Sequence, residues 1–232
     1  IRIWDAEAGK QMGDALKGHQ RGVESVAISQ DGKKIVSGSD DETIRIWDVE
    51  TGKQIGDMLE GHTGAVFSVA ISQDGKKIVS AGWDETIRIW DAETGRQIGA
   101  ALKGYASHVT SIAVTQDGKK IVSGSDDDTV RIWDAETGKQ IGKPLKGHTS
   151  SVYSVAITQD GKKIVSGSSD GTIRIWDTET GRQIGQPLER HTGGVTSVTI
   201  TQDGKKIVSA GFDNTIRIWD AEAGKQMGDA LK

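Results

Sequence analysis

The string IRIWD or VRIWD occurs six times in the 232-residue chain, with tryptophan at 4, 47, 90, 133, 176 and 219, always 43 residues apart. A period of that length means one supersecondary unit, copied. Five full copies run 18–60, 61–103, 104–146, 147–189 and 190–232, and a partial copy precedes them at 1–17. Of the 43 columns, 21 are identical in all five copies, including the block QDGKKIVS. Such near-identity points to recent duplication. Whatever fold one unit takes, all must take.

Within a unit the apolar period is two, not 3.6. In the second copy Val66–Ser72 alternates, Lys77–Ser80 is a short β-branched run, Thr86–Trp90 alternates again, and a weaker run covers Gln97–Leu102. Gln73-Asp74-Gly75 separates the first two runs as a hairpin turn in which glycine takes positive φ. Gly82-Trp83-Asp84-Glu85 separates the second and third, and Asp91–Gly95 the third and fourth. Each unit therefore reads as four short antiparallel strands, and no segment reads as helix. Pro144 and Pro187 fall in the fourth strand. Proline cannot donate to a ladder, so that strand belongs at a sheet edge. Four short strands cannot bury their own apolar faces. Stacking units around an axis does so, and the expected fold is an all-β propeller, one domain over 1–232.

Composition removes whole classes of function. Leu, Ile, Val and Phe make up only 50 residues, close to disordered composition, but the net charge of −4 does not hold the chain open. No apolar run approaches the ~18 residues of a membrane span. The absence of cysteine removes disulfides, thiolate nucleophiles and cysteine zinc sites. Near-neutral charge argues against a nucleic-acid partner. There is neither a signal-peptide pattern nor an initiator Met, so the chain reads as an excerpt or processed product, expected to be cytoplasmic.

Gly61-His62 before the first strand, Ser80 in the second, Asp84 in the following turn and Trp90-Asp91 closing the third are the motif residues of one unit. With this spacing the unit resembles the WD-repeat (WD40) propeller family over essentially the whole chain. The resemblance implies a hydrogen-bonded tetrad in each blade. Its members would be His19, Ser37, Asp41 and Trp47; His62, Ser80, Asp84 and Trp90; His148, Ser166, Asp170 and Trp176; and His191, Ser209, Asp213 and Trp219. A buried indole, imidazole and hydroxyl each need a partner, so the grouping also makes physical sense. Two units depart from the pattern. Tyr105 stands where the third histidine is expected, with His108 three residues later, which makes the third blade the expected weak one. Arg190 replaces the glycine of the fifth unit.

Residues 1–17 and 216–232 are identical, and both read as third and fourth strands. Propellers of this family usually close by pairing strands from both termini, so the two segments are expected to compete for the last blade. The loser could pair with another chain. A closed ring or an arc within one chain is expected, with all six recurring tryptophans buried.

Function should lie where the copies differ. The variable columns are Gly22, Ala65, His108, Ser151 and Gly194 before the first strand; Glu24, Phe67, Thr110, Tyr153 and Thr196 within it; and Asp40, Trp83, Asp126, Ser169 and Phe212 before the tetrad aspartate. The resemblance implies that these face the upper rim of the central channel. Eleven aromatic residues exist, six of them the recurring tryptophan; of the other five, Phe67, Trp83, Tyr153 and Phe212 sit in these columns. Clustered exposed aromatics are typical anchors for a partner. The candidate surface is Phe67, Trp83, His108, Tyr153, Phe212, Glu24, Asp40 and Asp126. The expected role is a non-catalytic scaffold that binds a protein or peptide. The alternatives are a lectin-like glycan binder and an engineered or evolutionary repeat array without a native ligand. A serine hydrolase is not expected, because Ser, His and Asp recur in every block instead of forming one site. Neither a metal nor a cofactor is expected: the acidic runs Asp40-Asp41-Glu42 and Asp126-Asp127-Asp128 lie along a turn and do not converge. The lysine pairs of the QDGKK turns form a solubilising ring on the opposite rim.

Overall fold

A computed structural model describes residues 1–232 and is all β, in antiparallel sheets. The alternating runs become strands as their periodicity requires. First strands are Val23–Ile28, Val66–Ile71, Val109–Val114, Val152–Ile157 and Val195–Ile200. Second strands are Lys34–Ser39, Lys77–Gly82, Lys120–Ser125, Lys163–Ser168 and Lys206–Gly211. Third strands are Ile44–Asp48, Ile87–Asp91, Val130–Asp134, Thr172–Asp177 and Ile216–Asp220. The fourth strand is continuous at Gln140–Leu145 and Gln183–Glu189, the two units carrying Pro144 and Pro187. In the first two units it thins to isolated bridges such as Ile44 with Leu59 and Ile87 with Leu102. It is the outer edge of each sheet, where a missing N–H costs nothing. Gly75 takes φ 67° in its hairpin turn, and the Asp74 carboxylate accepts from the Ser72 hydroxyl and the Lys76 N–H at 2.6 and 3.0 Å.

The apolar cores lie between blades. One joins Val36, Ile44, Ile46 and Leu59 of the first blade to Val66, Val69, Ile78, Trp90 and Ala92 of the second. The same grouping recurs at the next three junctions. A small residue in the second strand makes room for it: a Cβ on Gly38 would lie 2.6 Å from Val66 and 2.9 Å from Val69. Each junction also carries one polar clamp. The N–H groups of Val69, Ile112, Val155 and Val198 donate to Ser25, Ser68, Ser111 and Ser154 of the preceding blade, each at 3.1 Å.

Two expectations are corrected, and a third is narrowed. Segments 1–17 and 216–232 do not compete. Ile216–Asp220 completes the last blade, while 1–17 forms a two-stranded half-blade beside the first, with Leu16 packed against Ile35 and Trp47. Of the expected ring or arc, the blades form the arc. Val23 and Val26 at its start are 37% and 56% exposed, where Val66 and Val69 are 0% and 6%. Ile216 and Leu231 at its end are 44% and 55% exposed, where Ile44 and Leu59 are 0% and 2%. Finally, Trp4 is 57% exposed, unlike the other five recurring tryptophans at 2–3%. Its half-blade lacks the second strand, whose serine accepts the indole N–H in the other blades.

Candidate functional site

The tetrads decide how rigidly each blade presents its rim. In the second blade Trp90 Nε1–H donates to the Ser80 hydroxyl at 2.8 Å. Ser80 meets His62 Nε2 at 2.7 Å, and His62 Nδ1 meets the Asp84 carboxylate at 2.9 Å. One tautomer satisfies every group: Ser80 donates to Nε2, and Nδ1–H donates to Asp84. Asp84 also accepts from the Thr86 hydroxyl and the Thr63 N–H, at 2.9 and 3.2 Å. The aspartate thus ties the turn between second and third strands to the loop entering the first. Blades one, four and five repeat the arrangement, with His–Ser distances of 2.7, 2.7 and 2.8 Å. Burial alone would raise these carboxyls. The hydrogen bonds from histidine, threonine and backbone outweigh it, holding Asp84 at about 2 and Asp41, Asp170 and Asp213 well below the usual range.

The third blade is rebuilt around Tyr105, which is buried. Its hydroxyl reaches Ser123 and accepts from Trp133 Nε1 at 3.0 Å. Asp127 has no histidine and pairs with Arg131 at 3.1 Å, while the Arg131 guanidinium lies 4.6 Å from the Tyr105 ring centre. Burial raises the Tyr105 phenol well above its ordinary value, so it stays a neutral donor and acceptor.

An arginine–glutamine bond between third and fourth strands had drawn no notice in the sequence. Arg45, Arg88, Arg131, Arg174 and Arg217 donate to Gln54, Gln97, Gln140, Gln183 and Gln226 at 2.5–2.9 Å. Both columns are identical in all five copies, and that was the available signal.

At the rim, antiparallel order puts the loop before the first strand beside the turn after the second. There the structure brings Phe67, Trp83 and His108 together. The Trp83 and His108 rings stack at 4.1 Å and 26°, and Phe67 stands edge-on to both, at 6.0 and 6.4 Å. His108 Nδ1 lies 3.2 Å from Asp126. A second group pairs Tyr153 with Phe212 at 6.2 Å and 85°. Trp83 and Phe212 remain 56% and 68% exposed despite these contacts. Glu24 and Asp40 flank Gly22 on the first blade, where an added Cβ would lie 3.0 Å from Asp40 and 3.1 Å from Glu24. No hydrogen bond joins them to either aromatic group.

The local backbone explains why a large ring appears where it does. In blades three and four, Ser125 and Ser168 donate to carbonyls of the entering loop at 2.7 and 2.8 Å. Gly82 replaces that serine before Trp83, and there the Ala65 carbonyl comes so close that any Cβ would collide with it. Gly211 does the same before Phe212, under the Gly194 carbonyl. Removing the serine lets the loop drop, and the ring covers it.

Blades locked by internal tetrads and stacked around an axis define a rigid scaffold whose variable residues gather at one rim. The chain belongs to the WD40 family: the WD domain, G-beta repeat, matches residues 10–48, 52–91, 96–134, 138–177 and 182–220. Each match ends on the aspartate that follows the buried tryptophan. Repeats of this family generally mediate protein–protein interaction and scaffolding. No curated protein matches the chain.

Proposed function

We propose that this arc binds a protein or peptide segment on its upper rim, without catalysis. The observation that carries the reading is the group of Phe67, Trp83 and His108 across the junction of the second and third blades, in which Trp83 is exposed and its two neighbours are half-buried. A large ring left more than half exposed on a rigid frame costs solubility unless a partner covers it. Carboxylates border the aromatic groups: Asp126 beside His108, with Glu24 and Asp40 one blade back. The fitting ligand presents an apolar or aromatic side chain next to a lysine or arginine. A glycan fits less well, because His108 already covers one face of the Trp83 ring on which a sugar would stack.

The test is selection of peptides from a random displayed library on the intact chain, followed by affinity measurement on Trp83→Ala and Phe67→Ala. The expected result is enrichment of apolar-basic sequences whose affinity falls at least about tenfold in each variant, as loss of an aromatic anchor implies. Selected peptides that bind both variants as tightly as the parent would refute the rim assignment. Trp83→Ala that abolishes binding on a glycan array while no peptide is enriched would establish the lectin reading instead.

A further inference from the structure

We propose that the lower rim carries a binding site for neutral carbohydrate, repeated between blades and independent of the upper-rim reading. The turns joining first and second strands lie at the end of each blade opposite Trp83. Around the turn of the third blade is a cavity of about 390 Å³, and around that of the fourth one of about 400 Å³. Every lining position of the first recurs 43 residues later in the second. Three consecutive blades build the first cavity: Gln73 comes from the second, Thr115, Gln116, Asp117 and Lys120 from the third, and Gln159 from the fourth.

No apolar side chain lines either cavity, so a ligand gains little by burying hydrocarbon and must be held by hydrogen bonds. The groups for this are free. Gln97 and its counterparts are spent on the frame: the amide of Gln97 donates to the Gly99 carbonyl at 2.9 Å and accepts from Arg88 at 2.6 Å. The amides of Gln73, Gln116 and Gln159 are exposed and held by no protein group. Each offers two donors and one acceptor. The turn between them is firmly built. Asp117 Oδ1 accepts from the Thr115 hydroxyl at 2.6 Å and the Lys119 N–H at 3.0 Å, which leaves Oδ2 as a further acceptor.

Charge narrows the ligand. Among the lining residues one ammonium, Lys120, stands with two carboxylates, Asp117 and Asp160. An anion meets the carboxylates and a cation meets the ammonium. An uncharged molecule, polar on all sides, in which every hydroxyl both donates and accepts, matches this set; that is a sugar. The two cavities share Gln116 and Gln159, so they adjoin. A ligand that itself repeats engages both, and its second contact is intramolecular. An oligosaccharide therefore binds more tightly than its own monosaccharide.

The experiment exposes the intact chain to an array of neutral and acidic oligosaccharides, then titrates the strongest neutral hit and its monosaccharide by calorimetry. The expected result is a neutral hit that binds more tightly than the monosaccharide. Gln116→Ala and Gln159→Ala each touch both cavities and should weaken binding about two- to tenfold, the worth of one neutral hydrogen bond. Both side chains are exposed, so the melting temperature should not move. The double variant should abolish binding, and Trp83→Ala should bind like the parent, which separates this site from the upper rim. The proposal is overturned if no neutral sugar binds at about 10 mM. It is also overturned by acidic sugars binding better than neutral ones, by unchanged affinity in both glutamine variants, or by loss of binding in Trp83→Ala.

Discussion

The Val69 amide donates to the Ser25 hydroxyl at 3.1 Å although 44 residues separate them. That bond is a direct link between blades, and its repeats should carry measurable stability. Ser68→Ala would leave the buried Ile112 N–H without its acceptor. An orphaned buried donor costs about 1–3 kcal/mol. Urea unfolding should show a loss in that range for Ser68→Ala. Ser197→Ala in dilute protein should change stability by less than about 0.5 kcal/mol, because no neighbour uses its hydroxyl.

The tetrad serine should matter unequally among blades. In the second blade Ser80 is the sole partner of Trp90 Nε1 and the partner of His62 Nε2. Ser80→Ala orphans both, at about 1–3 kcal/mol each. In the third blade Trp133 Nε1 reaches Tyr105 at 3.0 Å as well as Ser123 at 2.9 Å. Ser123→Ala leaves the indole its second acceptor and should cost less. Equal losses in the two variants would show that the tyrosine hydroxyl does not stand in for the serine.

Strand order, turn positions and tetrad membership were legible because each depends on contacts within one unit, and one unit is printed five times. What escaped the sequence depends on neighbours. Trp4 looks identical to Trp47 as a residue, but its burial needs second-strand partners that residues 1–17 do not supply. Val23 reads like Val66, and only the presence of a preceding blade distinguishes them. At the rim the variable columns marked Trp83 and His108 separately. Their stacking crosses a junction between copies, which no within-unit pattern encodes. The Tyr105 substitution was visible, but its repair through Arg131 and Asp127 follows from the longer reach of a phenol.

Acid should loosen the blades through their aspartates. Asp84 is held at about 2 in the folded chain, against ~3.9 for an unfolded aspartate. The folded value is the lower one, so this carboxylate stabilises the fold above the unfolded value. The contribution is lost as pH falls toward 2. Unscreened, the difference corresponds to about 2.6 kcal/mol at neutral pH, and solvent screening at this half-buried carboxylate reduces it to about 2 kcal/mol. Asp84→Asn should lower stability by about that amount at neutral pH and by almost nothing near pH 2. Chemical unfolding at a series of pH values checks this, and a parallel offset at every pH would contradict the assignment.

The third blade should be the easiest to improve. Tyr105 satisfies Ser123 and Trp133, but its phenol cannot also reach Asp127 as the imidazoles of the other blades reach their aspartates. Asp127 is left to Arg131, and its carboxyl is lowered by the Thr129 hydroxyl and the Ala106 amide against the opposing effect of burial. Tyr105→His should rebuild the chain from Trp133 through Ser123 to Asp127, because the flanking backbone already accepts histidine in four sister units. One added hydrogen bond to a charged acceptor is worth about 1.5–3 kcal/mol, reduced by the lost contact of the phenol with Arg131. A net gain of about 1 kcal/mol raises the melting temperature of a chain this size by roughly 2–4 °C. A fall in melting temperature would mean that tyrosine packing against Arg131 outweighs the tetrad, and that the third blade is no weaker than its neighbours.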